Sequence, residues 1–357
     1  GCIYGGGVNG AFGDETNAIG KDLRVKGDYS NGVVTLQEAG TLASLIPESD
    51  KYSITKLKVV GPLNGDDIRY LREMAGRDVN GNETTGSLID LDMSEATIVE
   101  GGEAYFASYF TTNNKVGEDM FYETHIEKIL LPENITEIGS SAFYGCSSLT
   151  NITIPKGITK IASSIFRDCS ALTSIILPNE VTEIVSSAFY GCSSLTNITI
   201  PNGVTKISDH TFYGCTSLAH IILPDGVTEI GGFAFGACSS LTEINIPDGV
   251  TIINNFTFLS CSSLKSIILP STITSIGKAA FDYCSSLSEV TSKATTPLAL
   301  GTDVFLRIAS PATLYVPTGC ANTYKATDWA NYFSVIKAEG ETESNDANIN
   351  DIPTEEW

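Results

Sequence analysis

Histidine is scarce in this chain: His125, His210 and His220 are the only three in 357 residues. They are scattered, and no nucleophile and base stand together as a catalytic constellation would require. No Cys-x-x-Cys pair occurs, which removes the usual signature of a zinc site. No run approaches the roughly 18 apolar residues of a membrane span. Basic residues are few, 21 against 42 acidic ones, and the net charge of −21 makes nucleic acid and anionic membrane surfaces poor partners. Neither a cofactor nor a metal nor an enzymatic activity is expected from what remains.

What the chain does contain is a period. Pro132, Pro155, Pro178, Pro201, Pro224, Pro247 and Pro270 recur every 23 residues. Counting each proline as zero, Ile or Val returns at three, Ile at six, Phe at eleven, Cys at fourteen, Leu at seventeen, and Ile or Leu at twenty-two, with a few exchanges. The phenylalanine column runs from Phe143 to Phe281 and the cysteine column from Cys146 to Cys284. A unit this short cannot bury so many apolar positions alone, so neighbouring units must stack and share one core. Leu149 to Ile154 alternates apolar with polar, the mark of a strand with one buried face, and Val204 to Ile207 reads as a second, shorter strand. Proline after the first strand ends it, having no N–H for a ladder. The Ala-Phe pair before each cysteine fits a single helical turn at the corner.

These units, close to Pro-x-x-Val-Thr-x-Ile-x-x-x-Ala-Phe-x-x-Cys-Ser-Ser-Leu-x-x-Ile-x-Ile, resemble the bacterial BspA-like class of leucine-rich repeat. The resemblance implies a leucine-rich-repeat solenoid, mostly β with short helical turns: a curved, right-handed coil with a parallel sheet on its concave side. It also implies display on the bacterial surface as an adhesin or host-binding factor.

The rest of the chain is expected to serve that coil. Residues 1–30, rich in Gly and Asn, read as a flexible tether; Gly5 to Gly10 matches a dinucleotide fingerprint in letters only, since no strand precedes it. Cys2 stands where a mature bacterial lipoprotein carries its lipid, which makes it the candidate anchor and the one route to a membrane. Residues 31–128 are expected to form an amino-terminal cap of longer, irregular coils. There Thr35 to Glu38 reads as a capping box opening a helix to Ile46, and Asp66 to Met74 as a helix closed by Gly76. The seven repeats occupy 129–290, a closing cap 291–337, and a solvated tail 338–357, which holds seven acidic residues and no basic one. Asp78 to Asn82 has the opening of a calcium loop but lacks its glycine and closing glutamate, so a turn is expected.

Stacked rungs bring the column cysteines roughly 4.8 Å apart, close enough for bridges. Small buried thiols donating weakly to the backbone are the expected form. On the first strand, positions twenty and twenty-two point inward, so nineteen and twenty-one face solvent. Position twenty-one carries Ile176, Ile222 and Ile268 on alternate rungs, with Thr153, Thr199 and Asn245 between them. Position nineteen carries His220 and Glu243, which are neighbours on adjacent rungs. Two explanations of the isoleucine stripe stay open: a 46-residue duplication whose isoleucines merely suit a sheet, or a partner-binding surface. The expected function is a non-enzymatic, adhesin-like surface scaffold that engages a protein partner, a host matrix protein or a protein of a neighbouring bacterial surface, through the concave face. The alternative is a glycan-binding accessory protein of a surface uptake system, against which stands the lack of regularly placed Trp or Tyr on that face. Position five alternates Glu137, Lys160, Glu183, Lys206 and Glu229, opposite charges on neighbouring rungs.

Overall fold

The computed structural model describes residues 31–340. The expected tether, Cys2 and all but the first three residues of the acidic tail lie outside the described residues.

Inside the repeats every rung carries two short strands, and the register between rungs is the sequence period itself. Ser174 pairs with Asn197, His220 with Glu243 and Ser266 with Glu289, all parallel. The second strands pair likewise, Lys160 with Glu183 and Lys206 with Glu229. The chain is a parallel β-solenoid, as the period requires. Proline does more than end the first strand. Its carbonyl accepts the N–H of the Ile or Val three residues on, as in Val204 to Pro201 and Val227 to Pro224 at 3.0 Å, so each proline closes a tight turn into the second strand.

The corner before each cysteine is tighter than an α-helical turn. Tyr144 N–H donates to Ser141 and Cys146 N–H to Phe143, both three residues back. The alternate N–H groups turn outward along the coil: Ser141, Phe143 and Gly145 donate to Ser163, Ile165 and Arg167 of the next rung at 2.8–3.0 Å. An α-helix would spend those donors on itself. Two left-handed residues per corner, such as Ser141 (φ +53°) and Gly145 (φ +70°), turn the chain so that the donors reach the neighbour.

The interior is a set of columns. Phe121, Phe143, Phe166, Phe189, Phe212, Phe235, Phe258, Phe281 and Phe305 stack face to face at 5.2–5.7 Å between centroids. The seven column cysteines are free and buried. Each donates its thiol to the carbonyl of a phenylalanine one rung back, as Cys192 does to Phe166 and Cys238 to Phe212 at 3.1 Å. This thiol ladder is the form expected from the spacing.

The amino-terminal coils extend the same sheet. Strands β1 (Val33–Thr35), β2 (Lys56–Leu63) and β3 (Asp90–Ile98) lie in parallel and pass to Lys128–Leu130 and Asn151–Ile152. The capping box expected at Thr35 does not form. Thr35 is the last residue of β1, paired with Val60, and Leu36 buries its side chain while donating its N–H to Val60. Left-handed Gly40 (φ +85°) interrupts the chain, and only Leu42–Leu45 is helical. The helix Gly65–Met74 forms as expected, with left-handed Gly76 beyond its end. Its true capping box is Asn64 with Asp67, and the buried Asp67 carboxylate also accepts from Gly40 and Leu42, tying the first coil to the helix. Arg72, fully buried, binds the carbonyls of Asp119 and Met120 at 3.1 and 2.9 Å and carries the helix onto the first rung. Asp78 accepts from Asn80 and Asn82 N–H at 2.8 Å, closing the turn expected there.

At the other end Tyr324, Trp329 and Phe333 close over Phe305, and Trp329 donates to the Leu298 carbonyl at 3.1 Å. The last strand, Val335–Ala338, buries Ala338, one residue past the boundary expected for the closing cap.

Burial pushes the column thiols above their ordinary value of 9.0, to about 11 at Cys146 and about 12 at Cys238 and Cys284. A thiol is neutral when protonated, so above pH 9 the unfolded chain binds fewer protons than the folded one. Stability is therefore whole below that pH and falls as pH rises toward 12, by up to about 1.4 kcal/mol per pH unit for each thiol. The urea midpoint is expected to drop steeply above about pH 9, and less steeply in a Cys192→Ala/Cys238→Ala chain. Equal slopes in the two chains would contradict the thiol ladder.

Candidate partner-binding face

The outward positions of the first strands form one surface because every rung repeats the same register. Position twenty-two packs inward beside position twenty, so position twenty-one between them must project. Ile176 and Ile222 are each 78% exposed, Ile268 57% and Leu130 49%. Two rungs, about 10 Å, separate one isoleucine from the next. Thr153, Thr199 and Asn245 stand exposed between them, so the face alternates apolar ridges with shallow polar troughs.

The trough floors are held in place. Thr150, Thr173 and Thr196 each donate a hydroxyl to a carbonyl one rung back at 3.1–3.3 Å. The amides of Asn151 and Asn197 lean on the hydroxyls of Thr150 and Thr196. Asn245 has a structural use that its position did not reveal. Its amide accepts from Leu223 N–H and donates to the Leu223 carbonyl, both at 2.9 Å, replacing one missing rung of the backbone ladder. A depression of about 730 Å³ lies over it, walled by Ile222 and Ile268 and bordered by His220, Glu243, Asp248 and Lys293. A smaller one of about 350 Å³ adjoins between Thr199 and Ile222.

The structure brings His220 and Glu243 together, 3.4 Å apart, with Thr242 Oγ1 also 3.4 Å from the imidazole. Both are well exposed, so the pair is weak and carries no catalytic geometry. The other histidines lie elsewhere: His125 beside Gly76, and His210 stacked on Phe233. Among the described residues no three metal-ligating side chains gather. Of the charges at position five, Lys160 pairs with Glu183 and Lys206 with Glu229, while Glu137 pairs with Lys115 ahead of the repeats, all at 2.7–3.1 Å. They are half-exposed and stabilise little.

One set of residues escaped the reading of the sequence. Tyr122 and Tyr144 stack at 5.1 Å, Arg167 covers Tyr190 at 4.2 Å, Tyr190 stacks on Tyr213 at 4.9 Å, and Phe233 on Phe256 at 4.5 Å. Together with Phe106 and His210 they make a half-buried belt along the corners, away from the strand face. The signal was present: tyrosine recurs at position twelve, and position nine changes from Ser to His210, Phe233 and Phe256. Within the belt each ring lies against its neighbours, so mostly edges are offered to solvent.

A family profile described as BspA type leucine rich repeat region, in six copies, matches residues 114–219 and 182–310, more than half of the chain. The chain belongs to the BspA-type leucine-rich repeat family. Among solved structures, this BspA-type chain is similar to a leucine-rich repeat protein from Bacteroides ovatus, with 27% identity and a TM-score of 0.51 over 65% of this chain and 67% of that one. It is also similar to the leucine rich repeat protein of T. pallidum, 32% identical over 44% of this chain and 77% of that one, with a TM-score of 0.42. A leucine rich cell surface protein from Faecalibacterium prausnitzii matches at 22% identity over 69% of this chain and 86% of that one, with a TM-score of 0.31. No curated protein matches it.

The Asn245 amide generates a test. Asn245→Ala is expected to lower unfolding stability in urea by about 0.5–1.5 kcal/mol, the net worth of the backbone bonds it completes. No change would mean that the amide serves only the surface.

Proposed function

We propose that this BspA-type repeat protein is a non-enzymatic scaffold, displayed outside the cytoplasm, that binds a protein partner through the outward face of its first strands. The observation that carries the proposal is the row of isoleucines, three of them more than half exposed, in register along one face. Apolar side chains lined up in solvent are a cost to a monomer and mark a surface that another molecule covers. Membership of the family supports surface display, as the resemblance implies. The buried, protonated thiols fit that setting too, because a thiol without solvent access or thiolate character resists oxidation.

The belt of aromatic rings weighs against the glycan reading. Sugar recognition needs an open ring face, and the rings on the corners spend their faces on one another. The strand face offers ridges of isoleucine and troughs of threonine and asparagine, which suit the side chains of a protein. Cys2 as a lipid anchor and a host matrix protein as the partner belong to the same proposal.

The test replaces Ile176, Ile222 and Ile268 together by Asp in the full chain and measures retention of host matrix proteins and cells. An apolar anchor contributes about 1.5–3 kcal/mol when covered. The triple variant is therefore expected to lose about a thousandfold in affinity or more, with an unchanged circular dichroism spectrum. Binding that survives the three changes would overturn the assignment of this face.

A further inference from the structure

The charges of the strand face are matched at its amino-terminal end and unmatched around one depression. In the first coils they are spent on each other: Lys56 pairs with Asp90 and Lys58 with Asp92, both at 3.7 Å, and Lys58 also with Glu95 at 2.5 Å. Farther along, Glu243 and Asp248 border the depression of about 730 Å³ from the two ends of one rung, at positions nineteen and one. Glu289 stands two rungs on from Glu243, and Asp225 one rung back from Asp248, all of them exposed. Glu243 has only the weak contact with His220. Among the described residues Asp225, Asp248 and Glu289 have neither an ion pair nor a side-chain hydrogen bond.

Two cations stand nearby, and neither answers these carboxylates. Lys293 reaches the rim of the depression, but Glu339 holds its ammonium at 2.5 Å. Lys265, at position eighteen, does not border it. Asp225 and Asp248 occupy the same position on successive rungs, roughly 4.8 Å apart, where like charges repel. A cation from outside relieves that repulsion. Between the two acidic ends the depression is apolar. Asn245 turns its amide back onto Leu223, which leaves the trough between Ile222 and Ile268 open. A bulky apolar side chain fits that trough, and cationic neighbours on either side of it reach Glu243 and Asp248.

We propose that the depression over Asn245 receives a cationic segment of the partner protein, in which a bulky apolar residue is flanked on both sides by lysine or arginine. The proposal rests on the reading of this face as a protein-binding surface, and names the chemistry of the partner there. The net charge of −21 acts in the same direction at longer range, drawing a cationic segment in and holding an anionic one off.

Fluorescence anisotropy tests it, with the full chain titrated to about 1 mM against the dye-labelled peptide Gly-Lys-Lys-Leu-Lys-Lys-Gly. Two control peptides carry serine for the leucine, or glutamate for every lysine. The lysine peptide is expected to bind, to lose about tenfold in affinity with serine for leucine, and to weaken as salt is added. The glutamate peptide is expected not to bind. Glu243→Gln with Asp248→Asn is expected to weaken the lysine peptide about fivefold. Glu243→Lys with Asp248→Lys is expected to take the glutamate peptide instead. Circular dichroism confirms that every variant is folded. A wild-type chain that does not bind the lysine peptide overturns the proposal, as does equal binding of the lysine and glutamate peptides or full affinity in the Gln/Asn variant. If the lysine peptide fails while the Ile176→Asp/Ile222→Asp/Ile268→Asp chain still loses host proteins, the cationic segment is refuted and the binding face stands. If that chain retains host proteins, the face itself falls.

Discussion

The structure depends on one constraint, that each rung must hydrogen-bond to the next through its backbone. At the corners, Ser141, Phe143 and Gly145 give their N–H groups to carbonyls 22 residues on, and the strands do the same in register. A ladder of this kind tolerates no slip, because shifting a strand by one residue turns its apolar side chains to solvent. The constraint explains why the period does not waver through the repeats. It also explains the left-handed residues. Ser164, Ser187 and His210 adopt positive φ in the place of Ser141, and Asp168 in the place of Gly145, at about 1–2 kcal/mol each. The cross-rung bonds over-determine the conformation and hold it.

The columns follow from that stacking. A site repeated about every 4.8 Å meets its own image above and below, so each site must suit itself. Phenylalanine does, as a continuous stack. Cysteine does because its thiol is small, neutral and able to donate to the carbonyl one rung back, where a larger or charged group would meet its like. Near the ends these conditions fail, and the chain changes character: Arg72 and Asp67 tie the first coil by hydrogen bonds, and Trp329 and Tyr324 cover the last phenylalanine.

That self-matching is why the interior was legible in the sequence. The inward positions, the two strands per rung and the thiol ladder could all be read from recurrence, since recurrence is what the packing selects. Features set by a single contact could not. Thr35 to Glu38 has the letters of a capping box, but pairing of Thr35 with Val60 outweighs a local preference worth about 1 kcal/mol. Asn245 looks like one more polar residue in a trough, and its double bond to Leu223 shows only in three dimensions. The aromatic belt moves from position twelve to position nine between Tyr213 and Phe233, so no single column reveals it. The outward isoleucines were visible for the opposite reason: they recur every second rung, a period the interior does not need.

The fold resides in the inward positions, and the proposed recognition in the outward ones, even between adjacent residues. Ile221 and Ile222 put the division to its sharpest test, being 4% and 78% exposed in the same strand. Equilibrium unfolding of Ile221→Ala and Ile222→Ala in urea measures it. A loss of about 2–5 kcal/mol is expected for Ile221→Ala and a change within about 0.5 kcal/mol for Ile222→Ala. Comparable losses at the two positions would contradict it.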